Sequence, residues 1–236
     1  MDWFHMEKKN NQEKVIVFAT SSPRRKQMLL QFGLNFGFVD PIGDERIKQD
    51  NESPIEYVQS LATQKARSVF GMVPQNAIIF AADTVVVSED QVIGKPLNRT
   101  EAVETLRNLS DSLHRVITAI CVYDVIKDVY LQEAVTTKVQ MRDFADSEIR
   151  AYVETGDPMD KAGSYAIQND FFHPVEAIEG CYFSVVGLPI CTLLKILTQL
   201  KLKTIIDVEK HRKDFLKCTG CLMLPPLNRS QIITEL

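Results

Sequence analysis

The segment 77–87, AIIFAADTVVV, constrains this chain more than any other. Apart from Asp83 and Thr84 it is wholly apolar, and its β-branched residues predict a long strand covered on both faces. Burying an unpaired carboxylate costs several kcal/mol, on the order of a large fraction of a domain's stability. Asp83 therefore calls for a partner: a metal, a cation or a catalytic role. The other reading is that Asp83 ends one strand and caps a turn, but the apolar run resumes at Val85. A strand buried on both sides needs layers above and below it. The 236 residues supply them, at roughly 150 residues per domain, in one to two domains.

Hydrophobic residues at 45% and charged residues at 25% argue against intrinsic disorder and coiled coil. A net charge of −4 provides no global positive field for nucleic acid or an anionic membrane, so any anion must meet a local basic cluster. No apolar stretch approaches about 18 residues, and the polar segment 1–14 lacks the apolar centre of a secretory signal. The five cysteines are odd in number and scattered, with Cys121, Cys181 and Cys191 in apolar stretches. Reduced thiols in a cytoplasmic protein are expected rather than a disulfide framework.

Residues 15–19 (VIVFA) read as a strand that runs into Thr20-Ser21-Ser22-Pro23, where a serine cap and a proline open a helix that Gly33 stops. Ser53-Pro54-Ile55-Glu56 is a capping box, followed by Ile55, Val58, Leu61, Ala62, Ala66, Val69 and Phe70 at helical spacing. Val92-Ile93 follows the turn at Glu89-Asp90, and Thr100 is expected to cap a helix through Leu109. Segments near 114–125 and 129–142 alternate like antiparallel neighbours. A helix opens near Ser147 and closes at Gly156; residues 181–186 read as a strand and 188–200 as an amphipathic helix. The intermixing predicts a mixed α/β sheet. Residues 1–13 read as an N-terminal extension and 201–236, basic and polar with Pro225-Pro226, as a C-terminal one.

Six places carry possible chemistry. The turn from Thr20 to Lys26 joins a helix N-terminus, whose free N–H groups attract anions, to serine hydroxyls and to Arg24 and Arg25; an ordinary capped helix with solvated arginines is the alternative. Asp83 is the second. Lys65 lies on the apolar stripe of its helix and either snorkels to the rim or points into a cleft. Lys95, in a Gly-Lys-Pro turn, and the polar loop 157–168 are ligand-contact candidates or plain surface turns. Cys218 and Cys221, with His211 nearby, make at most half of a structural zinc site, which needs four ligands. No G-x-x-x-x-G-K-[ST] loop, G-x-S-x-G elbow or i, i+4 histidine pair occurs.

Taken in order, eight short segments make the chain resemble the Maf family of nucleoside triphosphate pyrophosphatases over about residues 14–200. They are Ala19–Arg25, Asp44-Glu45, Leu61–Ala66 (LATQKA), Ala82–Val85 (ADTV), Gly94–Pro96, Asp157–Gly163 (DPMDKAG), Tyr165–Gln168 (YAIQ) and Val186–Pro189 (VGLP). The resemblance implies one ITPase-like α/β domain, a mixed twisted sheet with flanking helices and two lobes around a deep cleft. It implies hydrolysis of a nucleoside triphosphate to monophosphate plus pyrophosphate with a divalent cation, Mg²⁺ or Mn²⁺. By the same resemblance Asp83 is the proton acceptor, and Arg24, Thr84 and Gln168 bear on choice of base. Ser21, Arg25, Glu45, Lys65 and Lys95 line the cleft; of the two carboxylates, Asp83 and Glu45 are the metal-ligand candidates. A homodimer is left open as the assembly, and neither nucleic acid nor membrane is an expected partner.

Pro23-Arg24-Arg25, Ala82-Asp83-Thr84 and the stretch Asp160–Gln168 are similar to the branch acting on dTTP and UTP rather than on methylated guanosine triphosphate. Gln64 stands where that family usually has a glutamate, and Asn169-Asp170 replaces a glycine after Gln168. Two alternatives remain at this stage: the same fold acting on 7-methyl-GTP or another modified nucleotide, and a non-enzymatic nucleotide-binding regulator that signals through the C-terminal extension.

Overall fold

The computed structural model describes residues 14–202 and 210–219. Its first half runs β1 (Val15–Ala19), α1 (Pro23–Gln31), β2 (Gly37–Val39), α2 (Pro54–Ser68), β3 (Ala77–Ser88), β4 (Gln91–Ile93) and α3 (Arg99–Leu109). There follow β5 (Leu113–Asp124), β6 (Val129–Met141), α4 (Asp146–Glu154), β7 (Val175–Glu179), α5 (Tyr182–Val186), α6 (Ile190–Gln199) and α7 (Arg212–Phe215). The strands form one sheet in the order β2-β1-β3-β5-β6-β7, with β4 also paired to β3. β1 is parallel to both β2 and β3, and the remaining pairings are antiparallel, so the sheet is mixed as expected.

The two-faced apolar run does become the spine. Because successive strand side chains point to opposite faces, Ile78, Phe80 and Ala82 enter the core layer shared with α1 and α6. Ala77, Ile79, Ala81, Val85 and Val87 enter the layer covered by α2. The same alternation decides the chemistry: Asp83 falls on the α2 side, where Lys65 is, and Thr84 on the α1 side, where Arg25 is. β1 stops at Ala19, paired with Ala81, while β3 continues. Asp83 therefore lies just past the carboxyl end of its parallel neighbour, the usual place for a ligand crevice in an α/β sheet.

Ser22 caps α1 and Ser53 closes a full capping box on α2, as their spacing predicts. Ile55 and Phe70, at the two ends of the α2 stripe, are exposed. Two expectations need correction. The cap of α3 is Asn98, not Thr100: its side chain accepts from the Glu101 N–H, the third residue of the helix, and Asn outranks Thr there. Residues 181–186 form a helix rather than a strand; a short apolar run does not distinguish the two, and Gly187, at φ 120°, ends it after five residues. The edge strands β2 and β7 were not anticipated, because three to five residues at a sheet margin carry too little alternation.

His211 and Phe215 of the C-terminal segment are buried against Phe32, the residue that ends α1, and Phe215 also meets Phe183. Cys121, Cys181 and Cys191 are buried, and Cys218 is half-buried. Cys221, like residues 1–13, 203–209 and 220–236, lies outside the described residues, and among those described no three His, Cys, Asp or Glu side chains group to hold a metal. No helix among them is long and apolar enough to cross a membrane.

Two positions under the cleft carry testable consequences. Gly163 has φ 71°, and a β-carbon there would sit 2.9 Å from a methyl of Val86. Gly163→Ala is expected to cost about 2–3 kcal/mol by urea denaturation, from left-handed backbone and overpacking together. His114 is buried with its Nε2 2.7 Å from the Tyr165 hydroxyl, and desolvation pushes its imidazole down to about 4. The unfolded chain then binds a proton near pH 6.5 that the folded chain refuses until about pH 4. Stability is expected to fall across that window as pH drops, by roughly 3 kcal/mol at its lower end, with no contribution above it. Denaturation at pH 7 and pH 4.5 should show the gap narrowing in His114→Gln.

Candidate active site

A cleft of about 450 Å³ opens at the end of β1, and all nine side chains singled out in the sequence line it: Ser21, Arg24, Arg25, Glu45, Lys65, Asp83, Thr84, Lys95 and Gln168. They come from the turn into α1, the loop before α2, α2 itself, the middle of β3, the turn after β4 and the loop before β7. No stretch of sequence contains more than a few of them. The sheet brings them together.

At the centre, Lys65 reaches inward from α2. Its Nζ is 3.0 Å from Asp83 Oδ1 and 2.8 Å from Glu45 Oε1, so this lysine points into the cleft and does not snorkel away. Asp83 Oδ1 also accepts the Thr84 N–H at 2.9 Å. Its other oxygen, Oδ2, is buried and has no hydrogen-bond partner among the described residues. A buried carboxylate oxygen left bare in this way is costly, and it is the atom best placed to take a water, a proton or a metal. Glu45 is half exposed. Desolvation raises its pKa, but the Lys65 hydrogen bond and the charges of Lys65, Lys95 and Arg25 outweigh that and hold it below the usual glutamate range. It therefore stays ionised at neutral pH.

On the other face of β3, Arg25 donates through Nε to the Gly187 carbonyl at 2.7 Å and through Nη2 to Thr84 Oγ1 at 3.0 Å. Thr84 Oγ1 lies 2.9 Å from Thr118 Oγ1, which in turn donates to the Ser184 carbonyl. Desolvation lowers the Arg25 pKa, with Asp83 acting in the opposite direction, and a guanidinium remains charged regardless. Arg24 donates to Asp160 Oδ2 at 3.2 Å across the cleft mouth. Ser21, Lys95 and Gln168 are exposed on its walls. The lining holds five cations (Arg24, Arg25, Lys65, Lys95 and Lys161) against four carboxylates (Asp44, Glu45, Asp83 and Asp160). The local balance is thus positive in a chain whose net charge is −4.

Sequence reasoning missed the supporting partners. Thr118 looks like any threonine in a strand, and the Gly187 carbonyl has no side-chain signal at all. From the sequence, Gln64 stands out only as a departure from the family's usual glutamate. It donates to the Asp44 carbonyl at 2.7 Å and accepts from the Arg46 N–H at 3.4 Å, clamping the backbone on both sides of Glu45. A glutamate there has no donor for the first bond.

A mixed α/β sheet with a cation-lined cleft beyond its parallel strand ends, and a helix N-terminus in its wall, defines an anion-binding α/β protein. Residues 15–200 match the model of the family described as Maf-like protein. The chain belongs to that family. Among its relatives, the dTTP/UTP pyrophosphatase of Dictyoglomus turgidum is 41% identical over 186 residues, covering 79% of this chain and 96% of that one. The dTTP/UTP pyrophosphatase of Geobacter sulfurreducens is 41% identical, over 78% of this chain and 96% of that one. Of the solved structures, a HAM1 protein from Coxiella burnetii aligns with 79% of this chain and 100% of that chain, at 13% identity and a TM-score of 0.43.

Proposed function

We propose that this chain hydrolyses dTTP and UTP to the nucleoside monophosphate and diphosphate. The observation that carries the reading is the Asp83 carboxylate, held by Lys65 through one oxygen and bare at the other, inside a cation-lined cleft. The relatives described above, named for that activity and matched over nearly their whole length, support the choice of substrates.

Attack of water on the α-phosphorus must overcome the triphosphate's negative charge and stabilise a leaving diphosphate. In this reading Asp83 Oδ2 accepts a proton from the attacking water, and Lys65 keeps the carboxylate ionised and aimed. Arg25, the N–H groups opening α1 and the Ser21 hydroxyl bind phosphate oxygens, with Lys95 meeting the charge from the opposite wall. Arg24 and Gln168 contact the base, and Thr84, its hydroxyl committed to Arg25 and Thr118, shapes the floor beneath it. Asp83 and Glu45 suit Mg²⁺ or Mn²⁺, which bind through one or two carboxylates and share the rest of their shell with phosphate oxygens and water. When bound, such a cation neutralises charge on the phosphates.

The test is product analysis with purified protein, dTTP, UTP and 7-methyl-GTP, in Mg²⁺, Mn²⁺ or chelator. Equimolar monophosphate and pyrophosphate from dTTP and UTP is the expected result. Orthophosphate in place of pyrophosphate, or no product, overturns the reading, and faster turnover of 7-methyl-GTP moves it to that nucleotide.

A further inference from the structure

The loop that ends at Gln168 is held from both sides by a continuous line of polar contacts. Arg24 Nη1 binds Asp160 Oδ2 at 3.2 Å, and Asp160 Oδ1 lies 2.6 Å from Lys161 Nζ. Lys161, buried, also binds Asp157 Oδ1 at 2.9 Å. The second oxygen of Asp157 accepts the Tyr152 hydroxyl at 2.6 Å and the side-chain amide of Asn169 at 3.2 Å. Asn169 turns its own carbonyl oxygen the other way, accepting the N–H groups of Phe171 at 3.1 Å and Phe172 at 2.7 Å. Phe172 is anchored in the core, stacked 4.2 Å from Tyr152 and 4.6 Å from Phe144.

One side chain therefore joins the charged line to the aromatic anchor, directly after Gln168. An asparagine can do this because its amide donates from one end and accepts at the other. A glycine keeps only backbone bonds, and an aspartate keeps the two acceptor bonds while setting a second carboxylate beside Asp157. We propose that Asn169 is a specificity-positioning residue: it holds Gln168 in register with Arg24, so that the two base-facing groups close on a pyrimidine as a preorganised pair. This rests on the reading of Gln168 and Arg24 as base contacts. It extends that reading to a residue that touches no substrate. Neither the phosphate-binding Arg25 nor Asp83 takes part in these contacts, so the effect is confined to the base.

The experiment compares wild-type protein with Asn169→Gly and Asn169→Asp, each checked for a native melt. For Asn169→Gly the KM for UTP is expected to rise about 10-fold, the effect of losing a charge-assisted hydrogen bond, with kcat within about twofold. The inhibition constant of pyrophosphate, which reads the phosphate subsite alone, should stay within about twofold, and the preference for UTP over 7-methyl-GTP should narrow. Asn169→Asp should move in the same direction by less, and it carries the test should the glycine variant not fold. Unchanged KM and selectivity in the folded variants overturn the proposal. So does a rise of KM and the pyrophosphate constant together, which marks general loosening. Affinity for α,β-imido-UTP, which cannot be cleaved at the scissile bond, separates the two readings. A wild type that binds this analogue without releasing pyrophosphate from UTP sinks the hydrolase reading, while the analogue's Kd across the variants still decides the role of Asn169.

Discussion

Asp83→Asn is expected to lower turnover of dTTP and UTP by at least about 100-fold, the low end for removal of a general base, while the protein stays folded. The amide has the shape of the carboxylate. It keeps an oxygen for the Thr84 N–H and leaves Lys65 its 2.8 Å partner in Glu45, so the cluster retains its framework. What disappears is the bare oxygen: an amide nitrogen at the Oδ2 position donates where the reaction needs an acceptor. Substrate affinity should change far less than kcat, because in this reading the phosphates are gripped by Arg25 and the N–H groups opening α1. Pyrophosphate release under single-turnover conditions, together with a thermal melt, checks both halves. Near-normal turnover in a folded Asp83→Asn protein refutes the assignment of Asp83 as proton acceptor.

The second large effect is expected at Arg25. Arg25→Lys keeps the charge but loses the planar fork that spans Gly187 and Thr84 while lining the cleft. A lysine ammonium reaches one of those partners or the phosphate, not all of them. The expected loss in kcat/KM is about 100- to 1,000-fold, comparable to removing one oriented donor from a charge-stabilising site. The Gly187 carbonyl is left without its donor, at about 1–2 kcal/mol, whereas the Thr84 hydroxyl still has Thr118. A melt lowered by a few degrees should accompany the kinetic loss. Wild-type kinetics in Arg25→Lys would show that charge alone suffices at this position and that the fork has no role.

Both positions are partly legible in the sequence alone. The carboxylate in an apolar strand marked Asp83, since burial without a partner is too expensive to be incidental. Ser22-Pro23 and Ser53-Pro54-Ile55-Glu56 located two helix starts, because capping is a local matter of hydroxyl and N–H. Lys65 was ambiguous, as any lysine on an apolar stripe is, and only the position of β3 beneath α2 turned it inward to Asp83. Residues 181–186 misled: their apolar run suits strand and helix equally, and packing made it a helix. Arg25 could be named from the sequence as a candidate, but its partners, 59 and 162 residues away, could not.

What the chain's own order of residues determined is local: which segments bury both faces, where helices begin, and that one acidic group would need company. Only the tertiary structure decided which company. Strand alternation assigned Asp83 and Thr84 to opposite layers, the early end of β1 opened the space beside them, and the pairing of β3 with β5 set Thr118 behind Thr84. Hydrogen bonds, ion pairs and close packing act over a few ångströms in space and take no account of separation along the chain, so such partnerships exist only once the sheet has formed.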